Sequence, residues 1–178
     1  MTYLSTEEFH AWAYHDLLTN TTRGVLAEYI VAKALGVHAT KRVEWDKYDL
    51  YVDGIGGIEV KSAAYVQSWE QTRSSIIEFD IRPTKGWDAR TNTYAPSAQR
   101  CADVYVFCLL NGEVRDHVDP RDVAQWTFYV LATSVLNRVV PKQKKIRLGP
   151  LIALGPQECK YDELGAAIRA AALVNREG

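Results

Sequence analysis

The chain has 178 residues, 47% of them hydrophobic and 24% charged, with a net charge of −1. That balance excludes a disordered chain, a collagen-like fibre and a charge-rich tail, and the length suits one domain, 1–178, whose core needs no staple. The longest unbroken apolar run, Val104–Leu110, has seven residues, whereas a membrane-crossing helix takes about 20, so no membrane partner is expected. The first twenty residues carry Glu7, Glu8 and Asp16 and no Lys or Arg, unlike a secretory leader. The three cysteines, Cys101, Cys108 and Cys159, have no C-x-x-C spacing. They read as unpaired thiols of a reduced, cytoplasmic protein.

In chain order, Ser5 followed by Glu8 forms a capping-box pattern, which predicts a helix over 6–18. Asn20, Thr21 and Thr22 offer a second cap, for a helix running to about Leu35 and closed by Gly36. Residues 48–52, 58–65 and 75–82 read as strands, the first two joined by the glycine-rich turn 53–57. Residues 83–97 read as a long loop of the kind that often binds or gates. The run 103–110 is apolar on both faces and predicts a central strand. Residues 126–132 predict another strand, followed by a short helix to Val139 and a last helix over 161–174. Most of the five tryptophans (12, 45, 69, 87 and 126) are expected in the core. Helices at both ends of a mixed sheet imply α/β layers.

The hairpin 48–63, YDLYVDGIGGIEVKSA, carries the chemistry. With Gly54 at the turn centre, Leu50 opposes Ile58 and Asp49 opposes Glu59. Strand alternation then puts Asp49, Tyr51, Asp53, Glu59 and Lys61 on one face, and Leu50, Val52, Ile58 and Val60 on the other. Opposed strand residues have Cβ atoms about 5 Å apart, so two carboxylates there can grip one divalent cation. Mg²⁺, with Mn²⁺ as a substitute, suits such oxygen ligands, and the Val60 carbonyl offers one more. Lys61 reaches the same space, where an ammonium can place a water or stabilise charge on a phosphate. A solvated hairpin with cross-strand charge pairs has the same spacing. On the second predicted helix, Glu28 has Val25, Val31, Ala32 and Leu35 on its own stripe. A carboxylate so placed needs a basic partner or a metal.

Glu28 on a helix, Asp49 on a strand and Glu59-Val60-Lys61 on the next strand resemble the PD-(D/E)XK nuclease superfamily. The wider segments RGVLAEYIVAKALG and IEVKSAAYVQSW resemble a bacterial group within it. Tyr48 stands where the superfamily's name has proline. The resemblance implies a restriction-endonuclease-like αβα sandwich around a mixed β-sheet. It implies a metal-dependent nuclease that hydrolyses phosphodiester bonds, DNA before RNA. Asp49 and Glu59 would hold Mg²⁺, Lys61 would assist the attacking water, and Glu28 would support the metal site. Gln67 falls near a further active-site glutamine of some members. The alternative reading is a weak or inactive nucleic-acid-binding or partner-binding module on the same fold.

Two basic runs complete the picture. Residues 138–147 hold Arg138, Lys142, Lys144, Lys145 and Arg147 with no acid, and residues 82–100 hold Arg82, Lys85, Arg90 and Arg100 against Asp88 alone. Two such runs in a chain of near-zero net charge point to a phosphate-binding face, with Lys85, Arg90, Lys142, Lys144, Lys145 and Arg147 as its contacts. Trp87, beside Lys85 and Arg90, is placed to stack on a base. Cutting both strands at one site would take a second copy, hence a homodimer.

Overall fold

The computed structural model of the chain describes residues 3–39, 42, 46–88 and 91–177. Helix α1 is Thr6–Ala13. Ser5 caps it by accepting the Glu8 N–H at 3.2 Å, while its hydroxyl donates to Glu7 at 2.9 Å. The helix stops five residues before the predicted end. Asp16 accepts the Leu18 N–H at 2.8 Å, and no residue of α1 is buried. Local side-chain bonds therefore outcompete a helix that has no core to pack on.

Helix α2, Asn20–Ala34, is capped by Thr19 and closed by Gly36 at φ 77°. The Val37 N–H bonds the Ala32 carbonyl at 2.9 Å, the wrap expected where glycine follows a helix. Strands β1, Leu50–Val52, and β2, Gly56–Ala64, form the predicted hairpin in the predicted register, Leu50 opposite Ile58. Gly54 takes φ 79° at the turn.

Strand β3, Glu78–Asp80, does not join this sheet. Strands β4, Trp87–Asp88, and β5, Thr93–Tyr94, pair as a small hairpin inside the predicted long loop. Strand β6, Val104–Leu110, is buried at every position, as its two-faced apolar run requires. Strand β7 is Trp126–Ala132 and helix α3 is Thr133–Val139. The short elements β8, Lys145–Arg147, α4, Leu148–Ala153, and β9, Gln157–Cys159, were not legible in the sequence. Helix α5, Tyr161–Glu177, closes the chain.

The main sheet is mixed and five-stranded, ordered β1-β2-β6-β7-β9, with β2 and β6 parallel and the other neighbours antiparallel. One face packs Ile58, Val60, Val104, Val106, Phe128 and Val130 against α2 and α5. The other packs Tyr105, Phe107, Leu109, Tyr129 and Leu131 under Phe79, Ile81, Ile146, Leu136 and Leu151. That second layer is the antiparallel ribbon β3–β8, with Phe79 opposite Ile146, together with α3 and α4. The predicted strand 75–82 thus shortens to 78–80 and lies outside the main sheet. Ile77, Phe79 and Ile81 are buried on one side while Ile76, Glu78 and Arg82 are exposed on the other, so the segment covers the sheet with one face instead of being sandwiched within it.

The tryptophan expectation also fails. Trp126 is fully buried, but Trp12 and Trp69 are 77% and 54% exposed, Trp87 is half-buried, and Trp45 lies outside the described residues. All three cysteines are free thiols.

Candidate active site

Strand β2 sorts its side chains by alternation. Ile58 and Val60 enter the core beneath α2, while Glu59 and Lys61 turn to the opposite face beside Tyr105 and Phe107 of β6. There they meet Asp49, which precedes β1. The Asp49 backbone N–H bonds the Ile58 carbonyl at 3.1 Å, and its carboxylate accepts the Val60 N–H at 2.7 Å. These two bonds, next to the Leu50–Ile58 pair, set Asp49 against residues 58–60, near enough for its charge to act on Glu59.

Glu59 Oε1 lies 2.5 Å from Lys61 Nζ. Burial raises the Glu59 carboxyl above its ordinary range, and the nearby Asp49 and Glu28 charges raise it further, against the pull of Lys61. Burial would lower Lys61, but Glu59, Asp49 and Asp80 together lift it above the usual lysine value. Lys61 is therefore held as a cation.

A cleft of about 760 Å³ opens over these groups. Asp49, Glu59, Lys61, Asp80, Arg82 and Tyr105 line it, together with Lys85, Trp87 and Tyr94. The Trp87 and Tyr94 rings meet edge to face at 4.9 Å across the β4–β5 hairpin. Asp80 and Tyr105 carry no functional signal in the sequence, and Arg82 stands there only as one cation of the run 82–100. Asp80 and Arg82 reach the cleft only because β3 crosses the sheet as a ribbon. Tyr105 lies in a run whose composition signals only core. It is 4% exposed, and burial with the Glu59 charge pushes its hydroxyl well above the usual tyrosine range.

Glu28 stands apart from this set. It lines a neighbouring hollow of about 460 Å³ together with Arg42 and Asp49. Arg42 grips its carboxylate with Nε at 2.6 Å and Nη2 at 3.0 Å. Burial and the Asp49 charge raise Glu28, and the bond from Arg42 lowers it, with burial prevailing. Glu28 thus has the basic partner that an apolar stripe demands, and it reaches the site through Asp49.

Gln67 does not reach the cleft. It is buried, donates to the Ala64 carbonyl at 2.8 Å and accepts from Arg23 at 3.2 Å. Among the described residues, no three His, Cys, Asp or Glu side chains form a group that could hold a metal ion.

The basic runs divide. Lys85 lines the cleft and Arg90 lies outside the described residues. Lys142, Lys144, Lys145 and Arg147 are exposed on the neighbouring segment and do not line the cleft. Lys145 pairs with Glu78 at 2.8 Å and sits opposite Asp80 on the ribbon. Arg100 is buried. It donates to the carbonyls of Ile81, Val140, Pro141 and Gln143 and to the Asn137 side chain, tying the basic segment to the entry of β6.

The family model for bacteriophage T4 endonuclease IV matches residues 4–145. The chain belongs to the bacteriophage T4 endonuclease IV family. The matched region runs from α1 to the start of β8 and contains the whole cleft wall of Asp49, Glu59, Lys61, Asp80 and Arg82. Arg147, α4, β9 and α5 lie beyond it. Comparisons with curated proteins and with solved structures give no match. Membership makes this an endonuclease family chain, and its cleft brings acid, base and aromatic side chains together.

Proposed function

We propose that the chain is a Mg²⁺-dependent nuclease of the PD-(D/E)XK type that hydrolyses phosphodiester bonds of DNA. The observation that carries this reading is one cleft wall holding Asp49, Glu59 and Lys61, in a chain of an endonuclease family. The donor set fits a hard divalent cation. Two carboxylates stand close enough for the Asp49 charge to raise Glu59, and a cation between them would relieve that repulsion. A Mg²⁺ ion keeps several waters, so two carboxylates with the Val60 carbonyl suffice without a third acid.

When bound, the cation would lower the pKa of a water and offset negative charge on the phosphate. The chain's own residues do the rest. Asp49 and Glu59 orient the ligand set. Lys61, kept cationic, donates to the attacking water or to a phosphate oxygen as charge builds there. Tyr105 offers a hydroxyl that stays protonated. Lys85 and the exposed Lys142, Lys144, Lys145 and Arg147 supply cations for the nucleic-acid backbone, and Trp87 supplies an aromatic face for a base. A homodimer would place two such sites for a double-strand cut. No described helix is long and apolar enough to cross a membrane.

The test is a digest of supercoiled plasmid, linear duplex, single-stranded DNA and RNA with Mg²⁺ or Mn²⁺, with Glu59→Gln as the control. Cleavage of DNA by the wild type and not by the variant is the expected result. Binding without cleavage under every condition would replace the enzyme with a nucleic-acid-binding module.

A further inference from the structure

The cleft is lined by five cationic side chains, Lys47, Lys61, Arg82, Lys85 and Arg100. They are committed to different degrees. Lys61 is paired with Glu59. Arg100 spends its guanidinium on backbone carbonyls and Asn137. Lys47 lies 5.5 Å over the Tyr48 ring.

Arg82 has a different arrangement. Its Nε donates to Asp80 Oδ1 at 3.0 Å, its Nη2 stands 2.6 Å from Oδ2, and its backbone N–H also donates to Oδ1 at 3.0 Å. Asp80, the last residue of β3, and Arg82, two residues beyond it, thus form a fork-to-fork pair that fixes the plane of the guanidinium. The Arg82 side chain is 51% exposed, and an exposed ion pair adds little stability. What the pair does is hold a planar cation at the cleft that Glu59 and Lys61 also line, with Nη1 outside the pair. A guanidinium held along one edge by a carboxylate can still offer its other N–H groups to a phosphate, in a direction that a lysine cannot fix.

We propose that Arg82 contacts a phosphate of the bound nucleic acid and that Asp80 is its positioning residue. This deepens the nuclease reading and rests on it.

The experiment uses the full chain and a fluorescein-labelled 30-nucleotide DNA, single-stranded and as a duplex. Binding is followed by anisotropy across a salt series without divalent cation, and single-turnover cleavage is then measured with Mg²⁺. Arg82→Ala should weaken binding several-fold and flatten the log–log salt slope by about one phosphate contact, roughly 0.7 for single strands and 0.9 for duplex. Arg82→Lys should keep the slope but cleave more slowly than wild type, because the ammonium cannot fork. Asp80→Asn should bind with the wild-type slope and cleave as slowly as Arg82→Lys, and Asp80→Glu should recover part of the rate.

An Arg82→Ala protein with wild-type slope and wild-type cleavage overturns the proposal and leaves the nuclease reading intact. So does an Asp80→Asn protein that loses Mg²⁺ affinity by calorimetry, since Asp80 would then be a cation ligand. A wild type that binds DNA without cutting it ends the nuclease reading, while the salt slope still decides Arg82. A wild type that neither binds nor cuts ends both.

Discussion

Glu59 and Lys61 occupy alternate positions of one strand, and their side chains meet with Oε1 2.5 Å from Nζ. The contact joins a carboxyl that burial makes reluctant to ionise to an ammonium that three acids keep charged. Much of the expected behaviour of the site follows from that pair.

Metal binding needs Glu59 ionised. Because its carboxyl is raised, protons compete with the cation at higher pH than for an ordinary glutamate. Mg²⁺ affinity measured by calorimetry should therefore fall on acidification before free carboxylates titrate. Asp49→Asn and Glu59→Gln should each weaken it. At a hundred times its dissociation constant, Mg²⁺ should stabilise the wild type by about 2.7 kcal/mol, and Glu59→Gln should show no such gain. A wild-type titration from Glu59→Gln would remove that residue from the metal site.

The same shift sets the sign of a stability effect. A carboxyl whose pKa is higher in the folded than in the unfolded chain favours folding while protonated. That contribution is full below the unfolded value and is lost as pH rises through the raised one. Glu59 and Glu28 both behave this way. Glu59→Gln copies the protonated form, and Lys61 retains Asp49 and Asp80 as neighbours. Without divalent cation, the variant should melt above wild type at pH 8, and the difference should shrink toward pH 4. An advantage that grows on acidification would contradict the assignment.

Lys61→Ala separates chemistry from capture. Protonated, Lys61 cannot be a ligand, so metal and DNA binding should survive while single-turnover cleavage falls by at least about a hundredfold, the scale for loss of one electrostatic stabiliser. Metal affinity should rise, because a cation no longer has to enter beside an ammonium. Cleavage within a few-fold of wild type would leave Lys61 as a solvated strand residue.

Lys144 and Lys145 lie on the segment that flanks the cleft without lining it. Removing both should weaken binding to all sequences alike and flatten the salt slope by about two contacts, near 0.9 each for duplex DNA. An unchanged slope would show that the DNA backbone does not run along β8.

Arg100 belongs to the fold rather than to the phosphate face. It is 7% exposed and donates to four backbone carbonyls. Arg100→Ala would leave those acceptors short of a donor and should cost about 3 kcal/mol or more in urea unfolding, the scale for breaking a buried charged network. A loss below about 1 kcal/mol would mean that water replaces the guanidinium there.

The sequence alone determined the elements whose signals are local. The Ser5 cap, the Gly36 stop, the Gly54 turn and the Leu50–Ile58 register all follow from backbone preferences within a few residues. The shared face of Glu59 and Lys61 follows from the period of a strand. The two-faced apolar run of β6 announced a central strand because burial on both sides leaves no polar alternation.

Tertiary structure decided what depends on partners distant in the chain. Residues 75–82 read as a strand like its neighbours, yet Phe79 pairs with Ile146 in a ribbon laid over the main sheet. Only that crossing brings Asp80 and Arg82 to the same cleft as Glu59. Arg100 looked like one cation of a basic run until the carbonyls of 140–143 folded around it. Glu28 carried the expected demand for a partner, but its pairing with Arg42 depends on how the chain returns after α2. A one-dimensional pattern records what a residue needs, namely burial, a counter-charge or a turn. Which distant group meets that need is settled by packing, because contacts between elements follow from the three-dimensional path and not from spacing along the chain.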